Sequence, residues 1–253
     1  MAEKDIEKAA KMLRDCTRLL VFAGAGLSAE SGIPTFRDQG GLWEKHRVED
    51  VAAPEGFQRD PALVWRFYAE RQQQLATVRP NPGHFALARM EQTFAPDGFL
   101  LVTQNIDDLS ERAGSRQIAK IHGDLMAVWC TRCSWRGSFD VPLEPEGLLA
   151  DERTLPSCPE CGSLARPGIV WFGESLPKAV INQALAFSLE ADAILIVGTS
   201  GAVSGGYGLA DNVSALGGGV IELNPQETCL SHLADVCLRA PSAEALPALL
   251  SLL

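Results

Sequence analysis

The sequence is short of positive charge. Its 253 residues carry 22 lysines and arginines against 32 aspartates and glutamates, a net charge of −10. A protein that grips nucleic acid or an anionic membrane collects basic side chains on one face, so neither partner is expected. Long apolar runs are lacking too. The longest near the start, residues 19–27, is shorter than the roughly 20 residues a bilayer span needs. Residues 1–17 mix charges of both signs and have neither the basic start nor the cleavage site of a secretory leader. A cytoplasmic location with reduced thiols is therefore expected. The seven cysteines then read as ligands, nucleophiles or core residues, not as a disulfide framework. Internal repeats and low-complexity segments are also missing. What is present, 46% hydrophobic and 21% charged residues, is globular composition and excludes disorder as the main state.

Four apolar runs read as buried parallel strands: residues 19–23, 99–102, 193–197 and 220–223. Helical spacing appears over 2–15, where Ile6, Ala9, Ala10 and Leu13 share a face, and over about 175–190, 206–216 and 242–252. Strand–helix alternation of this kind predicts an α/β fold built on a parallel sheet, with ligands bound beyond the carboxyl ends of its strands. Two stretches break the alternation. Residues 38–95 hold at least two helices, opening at Asp60-Pro61 and after Asn81-Pro82-Gly83, and no good strand. Residues 124–168 are rich in Cys, Pro and Gly. Both read as insertions forming a smaller module beside the sheet.

Cys130-x2-Cys133 and Cys158-x2-Cys161 are two CxxC pairs separated by 24 residues. Each turn aims two thiolates at one point, and two such turns close a tetrahedron around Zn²⁺. Four soft ligands and no open position make the expected zinc site structural, one per chain. Cys16, Cys229 and Cys237 are expected to pack in the core. Gly24-Ala25-Gly26-Leu27-Ser28-Ala29 follows the first strand, a G-x-G-x-x-A variant of the dinucleotide fingerprint. Its glycines would allow a tight turn and close approach to a pyrophosphate at a helix amino end. The usual second strand ending in an acid is absent, since the chain runs on through Ser31-Gly32-Ile33-Pro34-Thr35-Phe36-Arg37. A nucleotide here is therefore expected in an arrangement other than that of the hydride-transfer enzymes.

From Gly24 to Arg37 the sequence resembles the signature of the sirtuins, the NAD-dependent protein lysine deacylases. Thr103-Gln104-Asn105-Ile106-Asp107, His122-Gly123, the cysteine quartet, Phe172-Gly173-Glu174, Gly198-Thr199-Ser200 and Leu223-Asn224 follow in the family's order. The resemblance spans essentially the whole chain and is nearest to bacterial members of the desuccinylase-like branch. It implies a Rossmann-like domain made of residues 1–37, 96–123 and 169–253. The smaller domain would have a helical part, 38–95, and a zinc part, 124–168. NAD would lie between them. Gly24, Ala25, Gly26, Ser28 and Arg37 would line the phosphates and the nicotinamide ribose, with Phe36 shielding that pocket. Gln104 and Asn105 would hold the ribose and Asp107 the nicotinamide amide. Gly198, Thr199, Ser200 and Asn224 would hold the adenosine half. His122, with Asn105 and Asp107 beside it, would be the general base. In the family's chemistry the acyl oxygen displaces nicotinamide to give an alkylimidate, and His122 would deprotonate the ribose hydroxyl that attacks it. The products would be free lysine and O-acyl-ADP-ribose.

Tyr68-x-x-Arg71 places both side chains on one helix face, which read alone is a packed tyrosine beside a solvated arginine. The resemblance implies instead that the pair binds the carboxylate of succinyl- or malonyl-lysine, with Thr35 following the same branch and Gly56 leaving room in the acyl pocket. Acyl-lysine proteins or peptides would dock as an added strand between Val170, Phe172 and Gly173 on one side and the 201–207 loop on the other. That loop departs from the family. Val203-Ser204-Gly205-Gly206 stands where Val-x-Pro-Ala is usual, which puts peptide affinity in question, and Ser110 stands where a His is usual. The expected activity is NAD-dependent deacylation by a monomer, with protein mono-ADP-ribosylation as the alternative.

Overall fold

The computed structural model describes residues 2–34, 46–145 and 155–253. Its centre is a six-stranded sheet. β1 (Leu19–Ala23) lies between β2 (Phe99–Thr103) and β7 (Ala193–Val197); β3 (Ile118–Lys120) extends one side, and β8 (Gly219–Leu223) and β9 (Val236–Leu238) extend the other. Every pairing is parallel. The order β3-β2-β1-β7-β8-β9 reverses direction at β1, so a crevice opens between the carboxyl ends of β1 and β7. The four central strands match the expected apolar runs. The short edge strands β3 and β9 carry too few apolar residues to announce themselves.

The pleat divides the core in two. Leu19, Val21 and Ala23 face one layer with α1 (Glu3–Arg14), α5 (Pro82–Glu91) and α9 (Ser242–Leu250). Leu20 and Phe22 face the other, covered by α7 (Lys178–Ser188) and α8 (Leu209–Ala215). In α1 the buried residues Ile6, Ala9, Ala10 and Leu13 recur at helical spacing. Glu3 and Asp5 in its first turn and Lys11 and Arg14 in its last oppose the helix dipole.

A third core joins α4 (Pro61–Thr77) to an antiparallel sheet, β5 (Arg136–Ser138), β4 (Gly123–Cys130) and β6 (Ala165–Ile169). Asp60 caps α4 by accepting from the Leu63 N–H. Trp65 Nε1 donates to the Ala165 carbonyl at 2.9 Å, and buried Gln72 donates to the Leu125 carbonyl at 2.9 Å. The two insertions thus share one interior. One expectation needs correcting: α5, read within the 38–95 helical part, buries Ala86, Leu87 and Met90 in the sheet's core and packs on α9. Among the described residues, no helix is long and apolar enough to cross a membrane.

Candidate active site

The glycine turn does something other than expected. After β1, among the described residues as far as Pro34, the chain makes only short 3-10 turns, Ala25–Leu27 and Ala29–Ser31, and none of these residues forms a helix whose amino end could face a pyrophosphate. Gly24 and Gly26 are needed because the loop after β7 crosses them. A Cβ on Gly26 would stand 2.7 Å from Gly198 Cα, and one on Gly24 would stand 2.7 Å from Thr199 Cβ. The Gly26 N–H donates to the Gly198 carbonyl at 2.8 Å. The two loops are locked together at the mouth of the crevice.

From that lock a polar network runs inward. Ser28 Oγ donates to Asp107 Oδ2 at 2.9 Å and accepts from Asn105 Nδ2 at 3.1 Å. His84 Nε2 lies 3.3 Å from the same oxygen. His84 Nδ1 accepts from the Asn81 N–H at 3.2 Å, so Nε2 carries the proton and donates to Ser28. The serine hydroxyl therefore makes three bonds and has one orientation. Burial pushes the His84 pKa down to about 4 and raises that of Asp107. Asn105 also donates to the Gly24 carbonyl at 3.1 Å, Thr199 Oγ1 donates to Gln104 Oε1 at 2.6 Å, and Asn224 Nδ2 donates to the Thr199 carbonyl at 3.1 Å.

His122 stands between this network and the smaller module. Its position depends on Gly123, which has φ +86; a Cβ there would lie 2.1 Å from the Gly168 carbonyl oxygen on β6. The imidazole Nδ1 is 3.0 Å from the Gln104 carbonyl, and Nε2 is 2.7 Å from the Tyr207 hydroxyl. Burial lowers the His122 pKa, with the Gln104 carbonyl opposing it, so the ring is neutral at pH 7.

The opposite wall comes from α4 and the segment after β6. Tyr68 is buried, and its oxygen accepts from Trp171 Nε1 at 3.0 Å. Burial raises the Tyr68 pKa, so the phenol keeps a proton to donate. Arg71 lies over the Phe67 ring, 3.3 Å from its centroid, and donates to the Phe67 carbonyl at 2.6 Å. Burial lowers its pKa only to about 10, which leaves it charged. Arg166 pairs both nitrogens with Glu174, at 2.5 and 2.9 Å, and holds the turn that presents the exposed Phe172 and Gly173.

These walls enclose a cavity of about 960 Å³. Ala25, Gly26, Ser28, Gln104, Asn105, Asp107 and His122 line it, as do Gly198, Thr199, Ser200 and Asn224. So do Tyr68, Arg71, Val170, Phe172 and Gly173. Gly24 does not; it sits behind, in the loop lock. Thr35, Phe36 and Arg37 lie outside the described residues. Gly56 is not in the acyl region: a Cβ there would meet the Asp50 carbonyl of α2 (Val48–Val51) at 2.4 Å, so its role is helix contact. Sequence reasoning missed His84 and Trp171, and it saw Tyr207 only as the end of a loop. The scarcity of tyrosine, two in the chain, was the available signal for the last.

The four cysteines meet as expected. Their sulfurs lie within 4.8 Å of one another, with Cys130–Cys161 and Cys133–Cys158 each at 3.6 Å. Thiolates about 2.3 Å from a tetrahedral Zn²⁺ stand roughly 3.8 Å apart, so the set fits the ion. The N–H groups of Arg132 and Cys133 donate to Cys130 Sγ.

Residues 24–205 match the Sir2 family. The chain is 44% identical over 247 residues to an NAD-dependent protein deacylase of Thermococcus kodakarensis, covering 96% of this chain and 93% of that one. It is also 44% identical over 243 residues to NAD-dependent protein deacylase 1 of Pseudomonas aeruginosa, covering 95% and 96%. A solved Sir2 homologue in complex with NAD superposes with a TM-score of 0.88 at 41% identity, over 97% of this chain and 92% of that one. With the fold, the cleft and the cysteine set all in agreement, the chain belongs to the Sir2 family.

Proposed function

We propose that this protein is an NAD-dependent protein lysine deacylase that removes succinyl and malonyl as well as acetyl groups. One observation carries the reading: a neutral histidine and a charged, partly buried arginine open into the same cavity from opposite walls. Small residues and amides beyond the ends of β1 and β7 suit the phosphates and riboses of a dinucleotide, and the cavity's size is in the range of ligand sites. Bound there, NAD supplies the activated ribose carbon from which an acyl oxygen displaces nicotinamide.

This chain's residues do the rest. Asn105, fixed by Gly24 and Ser28, orients the ribose, and Asp107 receives the nicotinamide amide. His122 Nε2 takes the proton of a ribose hydroxyl, with Nδ1–H anchored on the Gln104 carbonyl. Arg71 meets the acyl carboxylate two-pronged, and the Tyr68 hydroxyl donates a further bond. The peptide adds as a strand between residues 170–173 and the 201–207 loop. The zinc site stays remote from these steps and supports the smaller module. The test is mass spectrometry of one mixture: the protein, NAD, and equal amounts of an acetyl-lysine and a succinyl-lysine peptide. Both peptides should lose their acyl groups, and O-succinyl-ADP-ribose should appear. Consumption of the acetyl peptide alone removes the Tyr68–Arg71 assignment. Loss of NAD with both peptides intact favours ADP-ribosylation instead.

A further inference from the structure

One side chain at the base has no part in the chemistry above. The Tyr207 hydroxyl lies 2.7 Å from His122 Nε2, while Nδ1 faces the Gln104 carbonyl at 3.0 Å. A carbonyl oxygen only accepts, so Nδ1 holds the imidazole proton and Nε2 offers its single lone pair. Burial raises the Tyr207 pKa, so the phenol keeps its proton and is the donor. The atom that would accept a ribose proton already accepts another hydroxyl.

The backbone is shaped for this contact. Tyr207 has φ 59 and is the one non-glycine residue at positive φ among the described residues. L side chains adopt that conformation rarely and at a cost. It sits between Gly206 (φ 70) and Gly208 (φ 73), and a Cβ on Gly208 would meet nothing within 4 Å. A residue at positive φ flanked by two glycines has neighbours whose backbone can change conformation at low steric cost. Its ring stands edge-on to Phe22 at 6.5 Å and to His122 at 6.1 Å. The other charged or titratable groups lining the cavity are Glu30, Tyr68, Arg71, Asp107 and Glu174. Among the described residues none of them hydrogen-bonds the imidazole.

We propose that Tyr207 is a positioning residue that caps the His122 base, and that a ribose hydroxyl of the co-substrate must displace this phenol to reach Nε2. The displacement rests on the nucleotide reading of the cleft; the cap itself does not. Tyr207→Phe removes the hydroxyl and keeps the ring. In the ligand-free protein the ¹⁵N resonance of His122 Nε2 should move downfield as the donor is lost. ADP-ribose, titrated calorimetrically, should bind about three- to tenfold tighter, the equivalent of one neutral hydrogen bond. The KM for NAD should fall by the same factor. Tyr207→Ala should shift the resonance in the same direction.

An unmoved resonance in Tyr207→Phe overturns the cap, whatever the enzyme turns over. A moved resonance with weaker ADP-ribose binding overturns the displacement, because the phenol would then be helping to hold the nucleotide rather than standing in its way. A moved resonance with no ADP-ribose affinity in either protein overturns the displacement and the nucleotide reading together, leaving the bond to His122 standing. An effect seen with Tyr207→Ala but not with Tyr207→Phe assigns the role to the ring and defeats the proposal.

Discussion

The two walls of the cleft are built in opposite ways. The sheet wall is a closed polar network in which Ser28 alone bonds to Asp107, Asn105 and His84. The helical wall is aromatic: Phe67, Tyr68 and Trp171 line it, and the Arg71 guanidinium lies over the Phe67 ring. A network with every group paired holds one geometry, because moving any member leaves a buried polar atom without a partner. An apolar wall tolerates change of size and draws its selectivity from the few polar groups set in it. In the proposed function the sheet wall serves the chemistry common to all substrates and the helical wall the choice of acyl group.

Breaking the sheet wall should have the larger consequences. His122→Ala removes the proposed base, and deacylation of both acetyl and succinyl peptides should fall by about 10²–10⁴-fold. Zinc measured per chain should stay at one, since the cysteine set is separate from His122. Near-normal turnover on either peptide would remove His122 from its role.

The same wall predicts an acid-sensitive fold. His84 is fully buried, with a pKa lowered from 6.5 to about 4 in the folded protein. Between these values the unfolded chain binds the proton and the folded chain does not, so stability falls as pH drops. The contribution is complete above pH 6.5 and lost by about pH 4, at most roughly 3 kcal/mol. Denaturant titrations at steps from pH 7 to 4 should show that slope, and His84→Gln should flatten it. An equal slope in both proteins would place the acid sensitivity elsewhere.

The contrast between the walls also explains what could be read beforehand. β1, β2, β7 and β8 are covered on both faces, so each appears as an uninterrupted apolar run. β3 and β9, three residues each at the sheet edges, carry no such run. The starts of α4 and α5 were legible because Asp60-Pro61 and Asn81-Pro82 are local capping signals. Which body α5 packs against was not, because Ala86, Leu87 and Met90 say that a face is buried and not where. Most cavity residues were legible through the order of their motifs. Two things needed the folded chain. Gly24 and Gly26 serve the crossing of two loops distant in sequence, and Tyr207 reaches His122 only through a left-handed backbone.

The helical wall should break more gently and on one substrate only. Arg71→Met keeps the apolar stem and loses charge-assisted bonds worth about 1.5–3 kcal/mol. Desuccinylation should fall about 10–10²-fold in kcat/KM, and deacetylation should stay within roughly twofold, since an acetyl group offers the guanidinium no carboxylate. Arg71→Lys should recover part of the loss, because charge returns without the two-pronged geometry. Tyr68→Phe should change selectivity least, by about three- to tenfold, the worth of one neutral bond. It carries a separate cost, because the Tyr68 oxygen is the acceptor for the buried Trp171 Nε1–H. Leaving that donor unpaired should lower stability by about 1–3 kcal/mol, visible in a denaturant titration. Arg71→Met and Tyr68→Phe together separate reading the acyl group from holding the wall: the first should move selectivity, the second mainly stability. Equal losses on acetyl and succinyl peptides in Arg71→Met would make the guanidinium part of the wall's packing rather than its reader of charge.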